Sequence, residues 1–328
     1  MAKQSSAPYV HTDKTNTAKG CEWLVALIPI IIWSVYMFGA RVITLCLIGA
    51  LLSLALDFAV RYFLYRQTLC KSIDIMTAVY GTLAVFSMPV TVPLWMPVLS
   101  SLFVVIAKNI RIFRAKMLFN PYIFATGLLY LCFNEKMTCF TRPFAYFSPF
   151  SFSIDQRLID GYRVISPLQY MADGSVYEDG VFAQLYGYAS GCIGEIAVAM
   201  MILSLIWLCL RKEADWKNVI YMLAPVLLLA LVFPTDDAES SYYAYSVILS
   251  GALVFLAVFA TNESNTVPIT KLGKFVFALI GGVLTFTTRR LGGGFEWGYY
   301  IILLLNLASP FIEKFTRPIP LGSAKGKR

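Results

Sequence analysis

The sequence predicts an all-α integral membrane protein of about ten transmembrane helices, and composition and block length are the observations that carry this. Apolar residues make up 58% of the chain and charged residues 14%, against roughly 45–50% and 25% in soluble domains. The apolar residues also gather in long blocks such as Trp23–Phe38 and Val219–Phe233, close to the roughly 17–25 residues a helix needs to cross the hydrocarbon core. No water reaches that depth, so backbone groups must bond within their own segment and the blocks are expected to be helices.

In chain order the spans fall at 22–39, 42–65, 75–94, 96–113, 119–133, 195–210, 218–234, 242–260, 273–289 and 297–313. The polar tail 1–20 has no apolar run, so the first helix is expected to act as an uncleaved anchor. A first five-helix half (21–133) is separated from a second (195–313) by the long segment 134–194, and a basic tail (314–328) follows. Lys and Arg accumulate in short cytoplasmic loops. With the N-terminus inside, only Arg41, Lys136, Arg142, Arg157, Arg163, Arg289 and Arg290 of the 27 Lys and Arg lie outside. Segment 134–194 is then extracytoplasmic, and both termini are cytoplasmic. The formal net charge of +8 follows from this topology and calls for no nucleic-acid partner.

Because five is odd, the second half would lie inverted relative to the first, the inverted-repeat layout in which a site forms near the midplane. Its sequence marks are slight: Gly81 and Leu83 against Gly251 and Leu253, and Arg111 before Phe119 against Arg290 before Phe295. Pro89 and Pro93 break the third span. This is either a plain kink or a point where freed backbone groups face protein or a cavity. Gly292-Gly293-Gly294 suits a tight turn or a close approach to a flat ligand.

His11 is the only histidine and lies in the tail, which argues against histidine catalysis and haem ligation. The cysteines at 21, 46, 70, 132, 139, 192 and 209 show no Cys-x-x-Cys spacing, so zinc and a conventional cluster are unsupported. Cys139 and Cys192 either pair in an oxidising compartment or stay free thiols. Ionisable residues within a membrane are functional candidates. Asp57 and Arg61, four apart on one helix, form a structural ion pair or serve ion movement. Asp74 and Glu195 stand at helix starts, where negative charge is favoured as a cap, and Asp74 is also an ion-pathway candidate. Lys108, with Asn109 and Arg111, holds an anion or anchors the helix at the cytoplasmic face. The outer segment is rich in aromatics, among them Phe140, Phe144, Tyr146, Phe147 and Tyr162, which suit an interfacial belt or the walls of a planar ligand.

Several short runs, in order along the chain, resemble one known family. Lys108 followed by Phe119-Asn120-Pro121 resembles a segment of the D subunit of Rnf-type electron-transport complexes and of the related B subunit of sodium-pumping NADH:quinone reductase. So do Asp74 with Pro89 and Pro93-Leu94-Trp95, and Gly191-Cys192-Ile193-Gly194-Glu195. The runs Ser250-Gly251 to Thr261 and Gly293-Gly294-Phe295 also look like family patterns. The family's flavinylation motif has an Asp six residues before the hydroxyl residue esterified to FMN. It is matched by Asp160, Gly161, Pro167 and Leu168, with Ser166 in the acceptor position. Arg163, Val164 and Ile165 depart from the motif's small residues, which leaves open a flavin held without a bond or absent.

The resemblance implies a redox subunit that carries FMN on Ser166 and a second, non-covalent flavin such as riboflavin. Gly191, Gly194, Glu195, Lys108 and Asn120 are the further cofactor-site candidates. It also implies partner subunits of an Rnf-like complex in a bacterial-type cytoplasmic membrane, and coupling to Na⁺ or H⁺ movement. The competing readings are a related redox subunit serving a different assembly with an outer-face acceptor, and a solute channel or transporter on the same scaffold.

Overall fold

The structure, a computed structural model, describes residues 16–64, 66, 73–110, 117–144, 180–234, 240–292, 294 and 297–317. Among the described residues the chain is helical, without strands. Helix α1 spans Asn16–Phe38, and α2 spans Arg41–Ala59 and runs into a π-helical turn at Val60–Leu64. Helices α3 (Ile75–Phe86), α4 (Trp95–Asn109) and α5 (Pro121–Met137) complete the first group. After the short α6 (Gly180–Tyr186) come α7 (Val198–Leu210), α8 (Trp216–Val232) and α9 (Ser240–Leu249). The one-turn α10 (Leu253–Phe255) continues as a π-helical segment, Leu256–Ala260, and α11 (Lys271–Arg290) and α12 (Trp297–Thr316) end the described fold.

A helix stands at the position of each expected span. Asn16–Phe38, Arg41–Phe63 and Lys271–Arg290 are long and apolar enough to cross a membrane. The bent pair Tyr242–Leu249 and Leu253–Ala260 makes a fourth when counted as one span, and α3, α4, α7 and α8 are shorter apolar helices. Packing within the two groups runs in parallel. Helix α2 lies against α3 and α4, and α4 against α5, while α8 lies against α9 and α11, and α11 against α12. Between the groups, α1 packs on α7 and α5 on α12. Side chains buried at these contacts, including Trp23, Leu27, Tyr80, Phe86, Phe255 and Phe277, form one continuous core.

The third and eighth expected spans differ from continuous helices. The third is expected over 75–94, yet its helix ends at Phe86. Pro89 lacks an N–H and pushes Met88 out of the helical region. At 1.5 Å per residue the 12-residue α3 reaches about 18 Å, well short of a roughly 30 Å hydrocarbon core. The eighth breaks at Ser250–Ala252, where Gly251 takes φ +66° and the flanking helices meet at 60°.

The carbonyls freed by the first break are met from elsewhere in the fold. Gly194 N–H donates to Phe86 O and Ile193 N–H to Met88 O, both at 2.9 Å. Arg41 donates Nε to Val90 O (3.0 Å) and a terminal nitrogen to Val92 O (2.8 Å). Ser34 Oγ fixes the same loop by donating to Ile193 O (2.7 Å). At the second break Arg289 donates to Val247 O (2.5 Å) and Ser250 O (3.2 Å). The segment 187–197 is thus a buried loop tied to the end of α3, at the opposite face of the molecule from the start of α1.

That tie needs a glycine. A Cβ on Gly194 would overlap the Cβ and ring of Phe86, so Gly194→Val must push the loop off α3 and loosen both hydrogen bonds. Overpacking of this kind costs about 1–3 kcal/mol. The variant is expected to show a lower thermal midpoint in detergent, and an unchanged midpoint would mean the loop is not held there.

Candidate functional site

At the face where α1 begins, three helix ends bring four of the sequence candidates together. Asp57 and Arg61 come from the end of α2, Asp74 from the start of α3 and Lys108 from the end of α4. Asp57 Oδ2 accepts from Arg61 Nε (2.9 Å) and Lys108 Nζ (2.9 Å). Asp74 Oδ2 accepts from Arg61 (2.7 Å) and Lys108 Nζ (2.7 Å). Thr77 Oγ1 donates to Asp57 Oδ2 (2.9 Å) and also touches Lys108 Nζ. Lys108 is 2% exposed and Asp57 fully buried, so neither charge could stand alone in the interior. Two acids and two bases close on one another and leave the cluster formally neutral.

The sequence alternatives for these residues resolve in part. Asp57 and Arg61 do form the i, i+4 pair. Asp74 does cap α3, its Oδ1 accepting from Met76 N–H at 3.2 Å. It also joins the ion pairs, a role that one-dimensional spacing did not reveal. Lys108 gives its ammonium to Asp57, Asp74 and Thr77.

A cavity of about 270 Å³ opens beside the cluster, lined by Lys19, Arg61, Asp74, Tyr80, Lys108 and Asn265 among others. Its inner wall leads to Glu263, buried at 1% exposure. Glu263 Oε1 accepts from Asn265 N–H (3.2 Å) and Nδ2 (2.8 Å), and Asn265 Nδ2 also reaches Tyr80 OH (3.5 Å). Sequence reading missed Glu263, Thr77, and the roles of Arg41 and Arg289. An acid in the short connection between two apolar runs was the one signal available for Glu263.

The remaining candidates lie elsewhere. Gly191, Gly194 and Glu195 sit in the buried loop at the opposite face. Asn120 stands at the start of α5, before Pro121, but its side chain caps nothing. It is fully buried, and neither its oxygen nor its nitrogen has a hydrogen-bond partner. Tyr122 OH, Thr126 Oγ1, Tyr299 OH and both side-chain polar atoms of Asn306, on α5 and α12, are likewise buried and unpartnered. Cys139 and Cys192 are free thiols, and Cys192 Sγ lies 3.5 Å from Tyr130 OH. Asp160, Gly161, Ser166 and Pro167 lie outside the described residues. Among the described residues no group of three or more His, Cys, Asp and Glu comes together to hold a metal ion.

The arrangement is that of a polytopic helical membrane protein with paired charges buried at one face and interrupted helices stitched together toward the other. The chain belongs to the NQR2, RnfD, RnfE family, which it matches over residues 3–322. It is 27% identical to the D subunit of the ion-translocating oxidoreductase complex of Stutzerimonas stutzeri, with 92% of this chain and 91% of that one covered. It is 24% identical to the D subunit of the proton-translocating ferredoxin:NAD(+) oxidoreductase complex of Clostridium ljungdahlii (98% and 96% covered). It is 26% identical to the D subunit of the Na(+)-translocating ferredoxin:NAD(+) oxidoreductase complex of Acetobacterium woodii (99% and 96% covered).

The charge cluster can be tested by substitution and by acid. Lys108→Met leaves Asp57 and Asp74 with Arg61 alone, and removing one partner of a buried pair costs about 3–5 kcal/mol. A sharp fall in detergent thermal stability is expected, with partial recovery in Asp57→Asn combined with Lys108→Met; failure of the double variant to recover would deny the pairing. In acid, the Asp74 carboxyl is the group to follow. Burial raises its pKa, but the charge and hydrogen bond of Lys108, with Arg61 and the Met76 N–H, outweigh it and hold the group below the usual 3.8. A depressed folded pKa stabilises at pH above the unfolded value, and that contribution is lost as pH falls through the folded one. Thermal midpoints measured below about pH 5 are expected to fall less steeply for Asp74→Asn than for the wild type.

Proposed function

We propose that this chain is the membrane-embedded, flavin-carrying D-type subunit of an Rnf-like complex that couples electron transfer to translocation of Na⁺ or H⁺. The observation that carries the reading is the match over nearly the whole chain to a family whose similar members are named as subunits of such complexes. Its ten helices cross a bacterial-type cytoplasmic membrane as two inverted groups of five, with both termini cytoplasmic. The parallel packing of the two groups supports the repeat, as does the occurrence of a break in the third helix of each. Other subunits of such a complex are its partners, a reading supported by relatives that are each named as one subunit of a complex.

Flavin supplies the electron-carrying chemistry that side chains lack. The motif Asp160-Gly161 to Ser166-Pro167 supports a phosphoester to FMN at Ser166. A second flavin, held without a bond, fits the unpartnered donors and acceptors of Asn120, Tyr122, Thr126, Tyr299 and Asn306. Leaving such groups unpaired costs about 1–3 kcal/mol each, and a polar ring system or its side chain can offset that. Beside them Phe255 meets the Tyr122 ring edge-on (5.9 Å), and tilted ring contacts continue through Phe259 to Trp23. Asn120 and Tyr122 would hold and orient the ligand, and the neutral charge cluster at the end of α4 would keep the neighbouring helices in register.

Intact mass of the subunit purified from cells with the flavin transferase, combined with in-gel flavin fluorescence, tests this. A mass increase of one FMN, absent in Ser166→Ala, is expected. An unmodified mass with no flavin released on denaturation would overturn the flavin reading and favour a transport-like relative.

A further inference from the structure

We infer that Glu195, Gln184 and Ser250 form a binding site for a single dehydrated alkali cation of Na⁺ size, set between the buried loop and the break after α9. Glu195 is 1% exposed, Gln184 and Ser250 2% each. All three line a cavity of about 20 Å³ together with Ala189, Gly191 and Gly251. That is room for one water-sized particle and too little for an ion with its hydration shell.

The chemistry of the lining is one-sided. Both Glu195 oxygens, Gln184 Oε1 and Ser250 Oγ are buried without a hydrogen-bond partner. Gln184 gives its amide nitrogen to Ser246 Oγ (3.4 Å), and its amide oxygen has no partner. Ser87 and Cys192 lie close to Glu195 but make no hydrogen bond to its oxygens; Ser87 Oγ donates to Leu83 O (3.3 Å) and Cys192 Sγ lies 3.5 Å from Tyr130 OH. What the three residues offer the cavity is oxygen, and an all-oxygen set suits a hard cation. A single carboxylate among neutral oxygens favours a monovalent over a divalent cation, the more so because the Arg289 guanidinium already adds positive charge nearby.

The charge nearest the carboxylate does not fill the role. Arg289 acts on Glu195 electrostatically, but its guanidinium is committed to Val247 O and Ser250 O. Tyr122, on α5, lies near Glu195. Ser250 opens the stretch where the helix is interrupted, and interrupted helices elsewhere coordinate Na⁺ with the groups they release. Binding stands on this geometry; its use in translocation rests on the proposed function.

The test is equilibrium binding of ²²Na⁺ to the purified full complex in detergent, with flavin content and thermal midpoint measured on the same samples. The wild-type complex is expected to bind Na⁺ saturably. Glu195→Gln should remove one equivalent, and Ser250→Ala should weaken that equivalent roughly three- to tenfold, by analogy with loss of a buried polar partner. Should Glu195→Gln fail to assemble, Ser250→Ala decides. The absence of saturable Na⁺ binding in the wild type, or unchanged binding in the variants, overturns the site. Thermal stabilisation that follows pH and ignores Na⁺ overturns it in favour of a protonation site. Flavin content reports separately on the redox reading, so a complex can lose either without losing the other.

Discussion

Two helices stop partway through this molecule, and each carbonyl they release must be met from inside the protein. In lipid an unmet backbone group costs several kcal/mol, so the interruptions dictate what packs around them. Loop 187–197 is drawn into the core because Ile193 and Gly194 N–H groups answer Met88 and Phe86. Arg41 and Arg289 perform the same service with guanidinium groups, one at each break. This explains two arginines inside an apolar fold without assigning either to catalysis. It also explains why the two helix groups adhere: the loop preceding the second group is the cap of a helix in the first.

The buried charges obey a second constraint, neutrality over short distances. Asp57 and Lys108 are tolerated because Asp74, Arg61 and Thr77 arrive from other helix ends and complete the set. The helix termini help, since Asp74 stands at a positive helix start and Lys108 at a negative helix end. Such a cluster is stiff and specific to one arrangement of α2, α3 and α4. Gly49 and Gly81 allow that arrangement, since a Cβ on Gly81 would overlap the carbonyl oxygen of Gly49.

Much of this was legible in the sequence. Hydrophobic blocks located a helix at each expected span, because burial in lipid leaves a chain little choice of composition, though not the early end of the third at Phe86. Pro89 announced the first break. The second was hidden, since Ser250-Gly251 carries no breaker stronger than a glycine and the apolar run continues through it. Asp57 and Arg61 were recognised as ionisable residues within an apolar span, Asp74 as a helix cap and ion-pathway candidate, and Lys108 as an anion holder or an anchor. Their convergence was not legible, because spacing relates residues on one helix and the cluster spans three. Glu263 falls in a connection between spans, where loops ordinarily run over the surface, and nothing in its spacing announces that it is buried beside Asn265 and Tyr80. Glu195 read as a helix cap, yet α7 begins at Val198, three residues on, and its carboxylate turns into the protein instead.

The two faces therefore treat charge differently, and the difference bears on where a mobile ion can reside. In the cluster at the start of α3 every charge is matched by one fixed to the backbone, so an entering cation would have to displace Lys108 or Arg61 from two carboxylates at once. At Glu195 the fixed cation nearby, Arg289, is already held by carbonyls of the interrupted helix. The Glu195 carboxylate is left to whatever small species the cavity admits. Arg289 donates to the Ser250 carbonyl and acts on the Glu195 carboxylate through its charge, so a cation bound at Glu195 and the guanidinium that holds the bend would compete for the same negative potential. Ser250 links the proposed site to the α9–α10 bend, since it lines the cavity, its hydroxyl has no partner and its carbonyl accepts from Arg289.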